Sequence, residues 1–173
     1  MPGLNIAEVA KKLDHSNLSV TIADMQSEDA PLVYANEAFS AMTGYTSDEI
    51  LNRNCRFLQG SLENELPRAV IREAIAKGQS AQATFNNLRR DGSPLTTLLL
   101  LEPLHDRRGN LLYMVGSQFS VKPETTAKDI GRHSRQVSAE IDHLLEVNAN
   151  LRANSRRSLA ISALAAVRLW LTD

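Results

Sequence analysis

The chain has 173 residues, 43% of them hydrophobic, enough for one domain with a substantial core and some length to spare. Nineteen Lys and Arg against twenty Asp and Glu give a formal charge of -1, which excludes the broad basic surface that nonspecific nucleic-acid binding requires. A single cysteine excludes an internal disulfide and a cysteine-cluster zinc site, and it fits a reducing compartment.

The first residues lack the basic start and apolar stretch of a signal peptide. The longest apolar run, Leu159 to Leu171, contains Arg168 and is too short to cross a bilayer. A cytoplasmic protein with no membrane or nucleic-acid partner and no metal is therefore expected.

Residues 4–13 place Asn5 and Glu8 at capping-box spacing, with Ile6, Val9, Ala10 and Leu13 on one face of a short helix. Leu18 to Asp24 alternates as a strand, and Pro31 to Ala35 reads as its hairpin partner. Asn36 then caps a short helix carrying Ala38, Phe39 and Met42, which Gly44 stops. Ser47-Asp48-Glu49-Ile50 opens another turn or two of helix, with its acids where the helix dipole favours them.

The next stretch, Asn52-Arg53-Asn54-Cys55-Arg56-Phe57-Leu58-Gln59-Gly60, holds the only cysteine. It is too polar and short for a core element, yet Phe57 and Leu58 need burial, which predicts a tightly packed turn. Asn54 and Gln59 add amides that both donate and accept, and Arg56 adds a guanidinium fork suited to phosphate. No His or Lys lies near Cys55 in sequence, so its thiol stays mostly protonated at neutral pH.

Residues 63–77 predict an amphipathic helix with Leu66, Val70, Ala74 and Ile75 inward and Gly78 at its end. Arg68 and Arg72, four apart, project from one side. Three strands follow, 80–90, 94–105 and 111–121, separated by Asp91-Gly92 and by Asp106 to Asn110. Two strands, short helices and three long strands make an α+β order built on an antiparallel sheet.

Thr97, Leu99 and Leu101 share a face with Met114, Gly116 and Gln118, while Leu98, Leu100, Tyr113, Val115 and Phe119 lie opposite. Both faces are apolar, so something must cover the second. Asn87, Thr97 and Gln118 fall on three successive strands, where a buried amide needs a polar partner. Gly116 leaves room for a flat body to approach the sheet.

The cysteine stretch, in this setting, resembles the signature of LOV domains, the blue-light photosensory branch of the PAS fold, which have Gly where Asn52 stands. The similarity spans about residues 18–121 and includes Asn87, the Asp91-Gly92 turn and the Gly116-x-Gln118 ending. It implies a PAS/LOV fold: a five-stranded antiparallel sheet with short helices on one face, plus N- and C-terminal helical extensions. It also implies bound FMN, or another flavin such as riboflavin or FAD. By the same resemblance Cys55 is the thiol that forms a reversible cysteinyl-flavin adduct on illumination. Arg56 and Arg72, with Arg68 one turn away, would hold the phosphate, and Asn54 and Gln59 the ribityl chain and ring edge. Asn87 and Gln118 would bond the polar ring edge, with Gln118 reorienting when the ring nitrogen gains a proton. Thr21, Leu58, Ile71, Ile75, Leu99, Leu101, Met114 and Gly116 would wall the ring. Thr97 stands where the family usually has a second Asn, which implies that an amide contact is lost or replaced by a hydroxyl. Asn52 in place of Gly is expected to alter the turn before Cys55.

Residues 124–151 read as a helix with Ile130, Val137, Ile141, Leu144 and Leu151 on a heptad-like seam. A second helix is expected over about 158–171, after a break at Asn154 to Arg157. The division expected is a helical cap at 1–17, a photosensory domain at 18–121 and a helical extension at 122–173. The resemblance and the seam imply a blue-light receptor without catalysis, a homodimer whose association responds to light, and a separate downstream signalling protein. Glu140 to Leu144 has a faint likeness to the phosphoacceptor helix of sensor kinases, with His133 upstream; a surface His on a coiled seam is the simpler account. A light-regulated phosphoacceptor partner of a kinase, and a redox- or ligand-sensing PAS module with Cys55 incidental, stay open.

Overall fold

The computed structural model describes residues 5–122, 124–147 and 152–153. Helix α1 (Ile6–Leu13) leads into strands β1 (Ser19–Asp24) and β2 (Leu32–Ala35), and then into helices α2 (Glu37–Thr43) and α3 (Ser47–Ile50). A 3-10 turn (Cys55–Gln59) precedes helix α4 (Glu65–Lys77). Strands β3 (Ala81–Leu88), β4 (Pro94–His105) and β5 (Leu111–Ser120), helix α5 (Ala127–Val147) and a two-residue strand β6 (Arg152–Ala153) complete the order. The sheet runs β2-β1-β5-β4-β3, antiparallel throughout, with β6 paired to the far end of β4.

One side chain joins the N-terminal elements. Asn36, 1% exposed, accepts from the backbone N–H of Val20 at 3.0 Å and of Phe39 at 3.1 Å. Its amide donates to the carbonyls of Leu13 at 3.1 Å and Leu18 at 2.7 Å. It therefore caps α2, closes β1 onto β2 and holds the end of α1 in a single buried residue. At the other end of α2, Gly44 takes φ +79 and stops the helix in a left-handed turn.

The sheet is covered on both faces, as its two-sided apolar pattern requires. Behind it, Val9 and Leu13 of α1 and Ile130, Val137, Ile141 and Leu144 of α5 pack with Val20, Ile22, Leu98, Leu100, Leu104 and Val115. Each of these aliphatic side chains contributes about 2 kcal/mol by leaving water. The seam of α5, expected to face a second copy, is thus buried on the chain's own sheet. Ser16 Oγ donates to Glu140 at 3.0 Å, and Tyr34 donates to Asp14 at 2.8 Å, fixing the N-terminal segment against β2 and α5. A smaller cluster, Leu32, Phe39, Ile50 and Leu58, seats the short helices.

Two further expectations are corrected. Leu66 and Val70 are 82% and 46% exposed, so they are not the inward stripe of α4. Ala74 is buried and Ile75 faces the cavity, as expected, and the cavity-lining stripe is Arg68, Ile71, Arg72 and Ile75, at spacing i, i+3, i+4 and i+7, because α4 roofs a cavity and not a solid core. His133 is 6% exposed and lies beneath β5, so it is not open to a kinase, whereas His143, the histidine within Glu140 to Leu144, is exposed as a surface histidine on the seam is expected to be. Leu151, the 154–157 break and the 158–171 helix lie outside the described residues. No helix among the described residues is long and apolar enough to cross a membrane.

Asn36→Ala should lower unfolding stability by about 3 kcal/mol or more, because it removes a cap and strands several buried backbone groups; denaturant titration measures it. Burial holds His133 neutral down to about pH 4, whereas an unfolded histidine gains its proton near 6.5. The unfolded state therefore binds more protons between these values, and stability falls as pH drops through that window. Burial depresses His105 in the same sense. His133→Phe should flatten this acid slope, by up to about 1.4 kcal/mol per pH unit, in unfolding curves compared with wild type.

Candidate functional site

The cysteine turn is held by its neighbours before any ligand is considered. Asn54 Oδ1 accepts from Arg56 N at 3.0 Å and starts the 3-10 turn, while its amide donates to the Asp29 carbonyl at 2.7 Å. Asn52 N donates to Leu32 O and Leu32 N to Arg53 O, both at 2.9 Å, which pins the stretch to β2. Asn52 itself has φ +61. Asparagine tolerates this left-handed conformation better than most residues, and glycine adopts it freely. Phe57 meets the Tyr45 ring edge-on at 5.0 Å and lies under the Arg53 guanidinium at 4.4 Å, and Leu58 is buried.

This scaffolding places Cys55 in the wall of a cavity of about 440 Å³ enclosed by the sheet, the 3-10 turn and helix α4. That size falls among cofactor and small-molecule sites. Burial pushes the Cys55 thiol up to about 12, so it is protonated throughout the neutral range.

Every site residue named from the sequence lines this one cavity: Thr21, Asn54, Arg56, Leu58, Gln59, Arg68, Ile71, Arg72, Ile75, Asn87, Thr97, Leu99, Leu101, Met114, Gly116 and Gln118 join Cys55 there. Its polar groups on the sheet are already paired. Asn87 Nδ2 donates to Thr97 Oγ1 at 2.8 Å, so the hydroxyl of Thr97 serves a neighbouring amide. Gln118 accepts from Ser19 Oγ at 3.3 Å and donates to Thr21 Oγ1 at 3.2 Å. Between them the floor is bare at Gly116. A Cβ there would stand 2.9 Å from Thr21 Oγ1, 3.2 Å from Gln118 Nε2 and 3.3 Å from Leu99 Cδ1. Only glycine keeps this floor open.

Three guanidinium groups belong to the lining of the cavity. Arg56 pairs with the Asp29 carboxylate, Arg72 with Glu65 at 3.1 Å, and Arg68 Nε donates to Gln59 Oε1 at 2.5 Å. The two ion pairs are solvent-exposed and of a kind worth at most about 1 kcal/mol, so an incoming anion displaces them at small cost.

The cavity also takes in Ala23, Met25, Ala30, Leu32 and Phe85, which sequence reasoning did not name as wall. Phe85 and Ala23 carried a strand-alternation signal, whereas the loop residues Met25 and Ala30 carried none. Among the described residues, no group of His, Cys, Asp or Glu is arranged to hold a metal ion.

A PAS domain profile matches residues 18–121 of the chain. The solved LOV protein of Rhodobacter sphaeroides is 33% identical with a TM-score of 0.83, and the match covers 97% of each chain. Blue-light-activated histidine kinase 1 of Erythrobacter litoralis (strain HTCC2594) is 32% identical over 155 residues, 87% of this chain and 43% of that protein. Phototropin-2 of Oryza sativa subsp. japonica is 36% identical over 118 residues, 68% of this chain and 13% of that protein. The chain thus spans less than half the length of these two relatives. By the profile over its central residues and by a likeness that runs almost end to end, this chain belongs to the PAS domain family and, within it, to the LOV proteins.

Proposed function

We propose that this protein is a blue-light photoreceptor that holds FMN in the cavity between sheet and helices, with Cys55 as the thiol that light engages. The observation that carries the reading is a single protonated sulfur in the same cavity wall as the Asn87–Thr97 and Gln118 amide groups, above a floor kept open by Gly116.

The residues fit a flavin part by part. Leu58, Ile71, Ile75, Leu99, Leu101 and Met114 supply the apolar walls that a flat ring requires. Asn87 and Gln118 offer amides that donate or accept along a polar ring edge. Arg56, Arg68 and Arg72 all line the cavity and suit a terminal phosphate, which favours FMN over riboflavin.

When bound, a flavin supplies blue-light absorption and, once excited, an electrophilic ring carbon beside a nitrogen that takes up a proton. Cys55 meets that demand as a neutral thiol, carrying its own proton on Sγ and needing no base to activate it. Gln118 sits between two hydroxyls, Ser19 and Thr21, each able to donate or accept. A turned-over amide would donate to Ser19 and accept from Thr21, whose hydroxyl now donates to the Gly116 carbonyl at 3.4 Å, so both ends of the amide keep a partner, which suits a residue that follows the protonation of its ligand.

The photosensory unit is residues 18–121, with extensions at 1–17 and 122–173 whose described helices are α1 and α5. Output passes through β5 to α5, to a light-sensitive association between two copies and to a separate signalling protein. Because the α5 seam covers its own sheet, such an association would use other surfaces of the extensions.

Purified protein should be yellow, bleach under blue light and recover in darkness. Cys55→Ala should keep the colour and lose the bleaching, followed by absorption before and after illumination; a variant that bleached and recovered like wild type would remove Cys55 from the reaction. Because the thiol titrates only near 12, the bleached fraction should stay constant between about pH 6 and 9, measured under fixed illumination.

A further inference from the structure

Gln118 lies on β5 between two residues that point the opposite way, and one side chain of α5 touches both of them. His133 Nε2 is 3.0 Å from Ser117 Oγ, and its ring lies 4.9 Å from that of Phe119. Ser117 Oγ also donates to the Ser19 carbonyl at 3.1 Å. A serine has one hydroxyl proton, so with that proton committed to Ser19 the bond to His133 must be donated by Nε2–H. Burial depresses the imidazole's affinity for a second proton, so at neutral pH the ring is neutral, and its one proton is on Nε2.

Ser19 completes the connection. Its carbonyl accepts from Ser117 behind the sheet, while its hydroxyl donates to Gln118 Oε1 on the cavity side. The chain Gln118–Ser19–Ser117–His133 thus crosses the sheet from the cavity to α5 in three hydrogen bonds. There is room for it to move: a second cavity of about 340 Å³ is lined by Ser19, Gln118 and His133 together. Asp129 and Arg132, paired at 3.5 Å, are the charged residues of that cavity, and both are on α5.

We propose that His133 is the positioning residue through which α5 senses the orientation of Gln118, by way of Ser19 and Ser117. If the Gln118 amide turns over, the Ser19 hydroxyl changes from donor to acceptor, and the shift reaches the Ser19 carbonyl, Ser117 and the imidazole on α5. This rests on the photoreceptor reading and names how that site is coupled to its output.

The test is hydrogen exchange by mass spectrometry on the full, flavin-loaded chain, dark and illuminated, comparing wild type with His133→Phe, His133→Gln and Ser117→Ala. Wild type should show a light-induced change in exchange across residues 127–147. His133→Phe keeps an aromatic ring against Phe119 but removes the donor; it should still bleach, while the light-induced change in α5 drops at least about fivefold, the lower end of usual coupling strengths. Ser117→Ala should do the same, and decides the matter if His133→Phe does not fold. His133→Gln, which can restore an N–H donor, should recover most of the change. An α5 response of wild-type size in His133→Phe or Ser117→Ala would overturn the proposal, as would a wild type that bleaches with no change in α5. A wild type that does not bleach would refute the photoreceptor reading itself.

Discussion

A single antiparallel sheet with two apolar faces is the constraint on which this molecule depends. Leu98, Leu100 and Val115 point one way and Leu99, Leu101 and Met114 the other, so neither face can be left to water. Protein covers the first: α1 and α5 lay Val9, Leu13, Ile130, Val137, Ile141 and Leu144 across it. The second is roofed by the 3-10 turn and α4, which stand off from the strands and leave a cavity of about 440 Å³. A cavity of that size walled by aliphatic side chains is costly to keep empty, which ties the stability of the fold to whatever fills it.

The same arrangement sets the chemistry of the one cysteine. Its turn is anchored to β2 by backbone bonds and capped by Asn54, so the thiol is fixed in position in a poorly solvated wall. Poor solvation disfavours the thiolate and leaves a weak ground-state nucleophile. Such a group is a poor choice for catalysis in the dark and a suitable one for a reaction whose driving force arrives from outside. The Arg–carboxylate pairs in the cavity wall follow a similar logic, being cheap to exchange for a charged ligand group.

The back of the sheet is more than a cover. Ser117 and His133 are polar groups set into a largely aliphatic interface, satisfied by each other and by the Ser19 carbonyl. Buried polar pairs of this kind define one register of a helix on a strand, since any slip leaves them unpaired. The register they define is that of α5 on the strand that carries Gln118.

Much of this was legible in the residues alone. Strand alternation located both faces of the sheet, Asn36 and Gly44 marked the ends of α2, and the cysteine stretch with Asn87, Thr97, Gly116 and Gln118 identified the family and the residues of the cavity, because these are local patterns repeated at fixed periods. What failed was whatever depended on what lies opposite. Leu66 and Val70 looked like the inward stripe of α4 because they are apolar, yet the helix turns Arg68 and Arg72 toward the cavity, a choice made by a roof over space and invisible to periodicity. The α5 seam looked like a contact for a second copy because a sequence cannot say which apolar surface meets which. The burial of His133 left no mark in the sequence because its partner, Ser117, is sixteen residues away on another element, and only the packing of α5 on β5 brings the two within 3.0 Å.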